Sequence, residues 1–213
     1  MVFISNSTEL GTIYKKEELK AISKFCKENN LYLHLDGARL GSALMSRDND
    51  LTLDELSSLV DIFYIGGTKN GALLGEAIVI NNDKLKEDFR YHIKQKGAML
   101  AKGRLLGIQF VELFKNNLYF DLANHANKMA YKLSDSLKDL GYEFLTEPTS
   151  NQIFPIMTNE IIEKLENRYG FNIERKIDDN KKAIRLVTSW ATEEKAVDEF
   201  INYMKELGRV KAC

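Results

Sequence analysis

The chain has 213 residues, enough to bury a substantial core, and its 44% hydrophobic and 29% charged content is that of an ordinary soluble globular protein. Thirty basic residues against thirty-one acidic ones leave a net charge of −1, which gives no footing for a polyanion such as nucleic acid. The apolar runs are strand-length, far short of the roughly 20 residues of a membrane span, and residues 1–5 lack the charged and apolar regions of a signal peptide, so a cytoplasmic protein without a membrane partner is expected.

From Val2 to residue 82, short hydrophobic strands alternate with helical stretches. Residues 17–27 read as a helix with Leu19, Ile22, Phe25 and Cys26 on one face. The run Leu31-Tyr32-Leu33-His34-Leu35 ends in Asp36-Gly37-Ala38-Arg39, and Ile62-Phe63-Tyr64-Ile65 ends in Gly66-Gly67-Thr68-Lys69-Asn70-Gly71. The segment 76–80 follows too soon for a helical crossover and should run antiparallel to its neighbour. Long helical stretches are predicted at 83–115 and 121–140, the latter carrying Leu122, Met129, Leu133 and Leu137 and closing at Gly141. Beyond it, 142–145, 152–157 and 183–188 read as strands, with helices over 159–169 and 193–207. Thr192 is a plausible N-cap of the last helix, and Val197, Phe200, Ile201, Met204 and Leu207 form a stripe read as core packing. The organisation expected is α/β, with residues 1–115 forming a large domain and its connecting helix, and 116–213 a small α+β domain. Cys26 and Cys213 are far apart and offer neither a disulfide framework nor metal-ligand spacing.

An acid and an amine thus follow successive strands. In a right-handed crossover both strands point the same way, so Asp36 and Lys69 converge on the crevice past their carboxyl ends. That pair is what pyridoxal phosphate chemistry requires: a lysine to hold the aldehyde as a Schiff base, and a carboxylate to keep the pyridine nitrogen protonated. Each residue alone has a bland reading, a turn for Asp36 and a solvated charge for Lys69. Gly66, Gly67 and Gly71 are read as letting backbone approach a bulky ligand. His34 shares a strand face with Asp36 and either orients that carboxylate or fills space.

The strings HLDGAR (34–39), TKNGALLGEA (68–77) and IRLVTSWATEE (184–194), with ISNSTELGTIY (4–14) and IKQKGAMLAKGRLLGIQF (93–110), resemble the threonine aldolase and β-eliminating lyase group of fold-type I pyridoxal phosphate enzymes. The resemblance implies the aspartate aminotransferase-like fold, with Lys69 as the Schiff-base lysine and Asp36 as the pyridinium partner. It also implies that Arg39 and Arg185 hold the α-carboxylate of a small amino acid substrate and that Thr68 contacts the phosphate. Arginine suits that task because its planar fork meets a carboxylate with two parallel bonds; a strand arginine snorkelling to the surface is the alternative for Arg185. Lys94 or Lys96 either neutralises the phosphate or lies on a solvated helix face.

Complete members of the group have a longer N-terminal part that carries a phosphate loop and a ring-stacking aromatic residue. No counterpart precedes Asp36, and His92 and His125 lie on predicted helices beyond Lys69. A C-terminal portion of such an enzyme is therefore expected, working as a homo-oligomer or as the complement of an N-terminal segment. Three functions stay open at this level: aldol cleavage of a β-hydroxy amino acid to glycine and an aldehyde, β-elimination or transamination on the same scaffold, and a non-catalytic association fragment.

Overall fold

The computed structural model describes residues 1–209, and Cys213 lies outside them. The chain opens with β1 (Val2–Ser5), α1 (Lys16–Glu28), β2 (Leu33–Asp36), the short α2 (Leu40–Leu44), α3 (Leu53–Leu59) and β3 (Ile62–Gly66). A 3-10 turn at Thr68–Asn70 leads into β4 (Glu76–Ile80). The four strands form one sheet in the order β1-β2-β3-β4, the first three parallel and β4 antiparallel. Parallel β2 and β3 bring both strand ends, and so Asp36 and the Lys69 turn, to one edge. Local signals set these elements. Glu18 accepts the Lys15 amide at 2.8 Å ahead of α1, and Thr52 and Glu55 exchange bonds of 3.2 and 3.0 Å as a capping box for α3.

One face of α1 packs through Leu19 and Cys26 against Leu33, Leu35, Leu56 and Phe63. Phe25 is 55% exposed and leaves the face expected of it, because the buried stripe runs through Leu19, Ser23 and Cys26 instead.

The connection to the second half is not the single long helix expected over 83–115. It is broken into a 3-10 turn at Asp83–Leu85, α4 (Phe89–Gln95) and α5 (Arg104–Phe114), because Gly97 takes a left-handed φ of 71° and ends the first helix. After a second kink at Asn116 and Asn117, both at positive φ, comes α6 (Leu118–Asp139). This helix serves two cores. Tyr119 at its start joins the core of the first sheet, and Met129, Leu133 and Leu137 belong to the second.

The second core lies between α6, a small sheet and two further helices. Its elements are β5 (Gln152–Ile153), β6 (Ile156–Thr158), α7 (Asn159–Glu166), β7 (Asn172–Lys176), β8 (Lys181–Val187) and α8 (Glu194–Arg209). β5 and β6 pair with β8 in one continuous antiparallel register, so they are the expected strand 152–157 interrupted at Phe154 and Pro155. The expected strand 142–145 shrinks to one bridge, Phe144 to Pro155. β7 was invisible to periodicity because all five of its residues are exposed along an edge. Val197, Phe200, Ile201, Met204 and Leu207 of α8 are all buried core. Thr192 does not cap that helix: its hydroxyl accepts the Ser189 amide at 2.8 Å, and the first helical amides bond the Glu193 carbonyl. The loop after β1 ties the two halves together, since Thr149 and Ser150 each donate a hydroxyl to the Gly11 carbonyl at 2.8 Å.

Candidate active site

Asp36 is the last residue of β2, and its side chain folds back to accept the Ala38 amide at 2.9 Å. That bond turns the chain sharply into α2. On β3 the Tyr64 hydroxyl hydrogen-bonds the same carboxylate, and burial followed by this anionic neighbour pushes the phenol pKa well above its usual value. His34 lies two residues before Asp36, edge-on to Phe3 at 4.9 Å and to Tyr64 at 6.0 Å. Burial lowers its pKa against the opposing pull of Asp36. Its ring contacts are with Phe3 and Tyr64, and the Asp36 charge lies within electrostatic reach.

The two loops past β2 and β3 press backbone to backbone. The Gly66 amide donates to the Gly37 carbonyl at 2.9 Å, and a Cβ on Gly37 would sit 1.8 Å from the Tyr64 carbonyl oxygen. A Cβ on Gly66 would sit 2.2 Å from the Ala38 carbonyl, and one on Gly67 2.5 Å from that of Gly75. The first two glycines of the lysine loop therefore admit neighbouring backbone rather than a ligand, which corrects the expectation for Gly66 and Gly67.

Lys69 sits in the middle of the Thr68–Asn70 turn. The residue is exposed, yet its ammonium is partly desolvated: burial and then the Arg39 charge draw its pKa below that of an ordinary lysine, while Asp36 and Glu76 oppose. Thr68 is exposed and its hydroxyl is bonded to Glu76, so here it faces a carboxylate. Glu76 also accepts the Gly67 amide at 3.1 Å.

Arg39 precedes α2, and Arg185 lies in β8 of the other half. Their charges act on each other: burial first, then the Arg185 charge, lowers the Arg39 pKa, with Asp36 and Glu9 opposing. The Arg185 Nε is buried and has no hydrogen-bond partner among the described residues. Two like charges brought together with an orphaned N–H form a site that an anion would complete. Sequence reading paired Asp36 with Lys69 and the family resemblance added Arg39 and Arg185; in the structure Lys69 lies within electrostatic reach of Asp36 and Arg39, and Arg39 within reach of Arg185. Lys94 and Lys96 are exposed at the end of α4, and His125 bonds the Thr192 carbonyl at 2.8 Å.

Four further residues shape the site. Tyr64 and Glu76 were legible in outline, one on the Asp36 face and the other opposite Gly66, but nothing local assigned them a role. Asn70 and Tyr119 had no such signal. Tyr119 is buried, and its hydroxyl accepts the Gly41 amide at 3.1 Å while donating to the Gly66 carbonyl at 3.2 Å. Asn70 donates from Nδ2 to the Tyr119 carbonyl at 2.7 Å. Together they hold the lysine turn against α2 and α6.

The family model described as beta-eliminating lyase matches residues 1–160. The chain belongs to the beta-eliminating lyase family. Within it, the chain is 38% identical over 203 residues to a low specificity L-threonine aldolase of a Pseudomonas species, covering 93% of this chain and 57% of that relative. It is 35% identical to the enzyme of the same name from Pseudomonas aeruginosa, again covering 93% and 57%. A solved threonine aldolase structure from Leishmania major superposes with a TM-score of 0.95 at 51% identity, covering 97% of this chain and 60% of that one. The chain thus spans a little under two thirds of the length of these relatives. The fold is that of fold-type I pyridoxal phosphate enzymes. A serine palmitoyltransferase from Sphingomonas wittichii shares it at 17% identity with a TM-score of 0.71, over 99% of this chain and 55% of that one.

Proposed function

We propose that this chain supplies the lysine, the ring-nitrogen partner and the carboxylate clamp of a pyridoxal 5'-phosphate-dependent lyase that splits a β-hydroxy amino acid such as threonine into glycine and an aldehyde. The observation that carries the reading is the convergence of Lys69 and Asp36, at the ends of adjacent parallel strands, within electrostatic reach of Arg39 and, through it, of an Arg185 whose buried Nε has no partner among the described residues. The relatives named threonine aldolase supply the substrate class.

The residues present fit the cofactor. A partly desolvated lysine, a carboxylate within its electrostatic reach and an orphaned guanidinium N–H are the donor and acceptor set that the group and an amino acid carboxylate require. When bound, the cofactor provides a ring that takes up the electron pair left at Cα. Lys69 Nζ would carry it covalently, and its lowered pKa keeps more of the amine neutral, the form that attacks a carbonyl. Asp36 would hold a proton at the pyridine nitrogen. Arg39 and Arg185 would grip the α-carboxylate from the two halves of the chain and fix rotation about the Cα–N bond, which selects the bond that breaks. His34 and Tyr64 form an aromatic wall beside Asp36. Contact between Thr68 and the phosphate needs its hydroxyl to leave Glu76.

The domain division at 1–115 and 116–213 belongs to this reading, with α6 bridging the two cores. A cytoplasmic homo-oligomer acting on a small amino acid completes it; the apolar exposed row Leu105, Ile108 and Val111 on α5 supports association. Among the described residues no helix is long and apolar enough to cross a membrane.

The test is a titration with pyridoxal phosphate followed by borohydride reduction and peptide mapping, then a glycine assay with threonine. A stable adduct at Lys69 is expected, and Lys69→Ala should abolish it while changing stability by less than about 0.5 kcal/mol, as an exposed side chain implies. An adduct at a different lysine, or none, defeats the assignment.

A further inference from the structure

We propose that Glu76 is a positioning residue for Lys69: its carboxylate latches the turn that carries the lysine and faces the amine as its counter-charge. The functional meaning rests on the reading of Lys69 given above, but the latch itself stands on geometry.

In the antiparallel register Glu76 pairs with Gly66, so the first residue of β4 stands opposite the last residue of β3. One residue later, at Gly67, the chain leaves the sheet for the Thr68–Asn70 turn. The Glu76 side chain holds that exit, with Oε2 accepting the Gly67 N–H at 3.1 Å and the same carboxylate bonding the Thr68 hydroxyl. The far end of the turn is held separately, by the bond from Asn70 Nδ2 to the Tyr119 carbonyl at 2.7 Å. Lys69 is therefore suspended between two anchors, and only the first of them is charged.

The charges around the amine are Arg39, Asp36 and Glu76; those around Glu76 are Lys69 and Asp36. Burial and Arg39 favour the neutral lysine, and Glu76 pulls the other way. A neutral amide in place of the carboxylate keeps an acceptor for the Gly67 amide but removes the pull. Alanine removes both. The two substitutions thus separate anchoring from charge.

The measurements use the cofactor-free protein: the acylation rate of Lys69 with acetic anhydride between about pH 6 and 10, read by mass spectrometry, and amide exchange at Gly67. Glu76→Gln should leave Gly67 exchange within about twofold of the parent and raise Lys69 acylation at neutral pH about threefold or more, since losing a nearby anion favours the neutral amine. Glu76→Ala should raise acylation similarly and speed Gly67 exchange about tenfold or more, the loss of one anchoring bond. The proposal is overturned if the Lys69 profile is unmoved in both variants, or if the glutamine and alanine variants lose Gly67 protection equally. Because neither readout involves the cofactor, absence of a pyridoxal phosphate adduct at Lys69 in the parent protein would refute the functional reading while leaving the latch to be judged on these two measurements.

Discussion

Replacing Tyr119 by phenylalanine removes one oxygen atom from the interior and nothing else. The ring stays stacked on Phe114 at 5.0 Å and edge-on to Phe120 at 5.4 Å, so no cavity opens. What goes is the acceptor for the Gly41 amide and the donor to the Gly66 carbonyl. Gly41 is the second residue of α2, and amides of a first helical turn have no acceptor within the helix. A buried N–H left without a partner costs about 1–3 kcal/mol, and the lost bond to the carbonyl about 1 kcal/mol more. The total, about 2–4 kcal/mol, corresponds to a fall in Tm of roughly 5–15 °C for a chain of this size. Burial raises the Tyr119 pKa well above its usual value, so the hydroxyl keeps its proton and the difference should persist from neutral to mildly alkaline pH. Urea unfolding followed by far-UV circular dichroism measures it. A loss below about 0.5 kcal/mol with an unchanged m-value would show that water reaches both groups, and that Tyr119 does not fasten the lysine turn to α2.

Asp36→Asn should retain a borohydride-reducible adduct yet lower glycine formation by about two orders of magnitude or more, because an amide cannot stabilise a protonated pyridine nitrogen; unchanged turnover would remove Asp36 from that role. Arg185→Lys should weaken amino acid binding far more than cofactor binding, since one ammonium cannot reproduce the guanidinium fork, and equal losses in parallel equilibrium titrations would mark the arginine as structural. His34 carries a pH signature. Its pKa is lowered by burial, so the unfolded chain binds a proton at a pH where the fold does not, and stability should fall as pH drops below the ordinary histidine value of 6.5. His34→Gln should flatten that slope in urea midpoints taken between about pH 5 and 8, and a slope identical to the parent's would assign it to other groups.

Sequence by itself determined the elements that place Asp36 and Lys69. Strand periodicity, the acid and the glycine-flanked lysine at two strand ends, and the handedness of the crossover are all local or nearly so, and they suffice to bring the two strand ends to one edge. The short span between Lys69 and β4 likewise dictated an antiparallel strand, as found. Tertiary structure alone decided what surrounds the pair. Arg39 and Arg185 come within electrostatic reach although one precedes α2 and the other lies in β8, and Tyr119 reaches both Gly41 and Gly66 from the start of α6, the helix shared by the two cores. Gly37, Gly66 and Gly67 proved to be shaped by neighbouring carbonyls, which no dipeptide pattern reveals. The exposed strand β7 and the break at Gly97 escaped for a related reason. Hydrophobic periodicity records which side of a segment meets a core, whereas a polar contact between distant residues depends on the path of the whole chain and leaves no periodic trace in either partner.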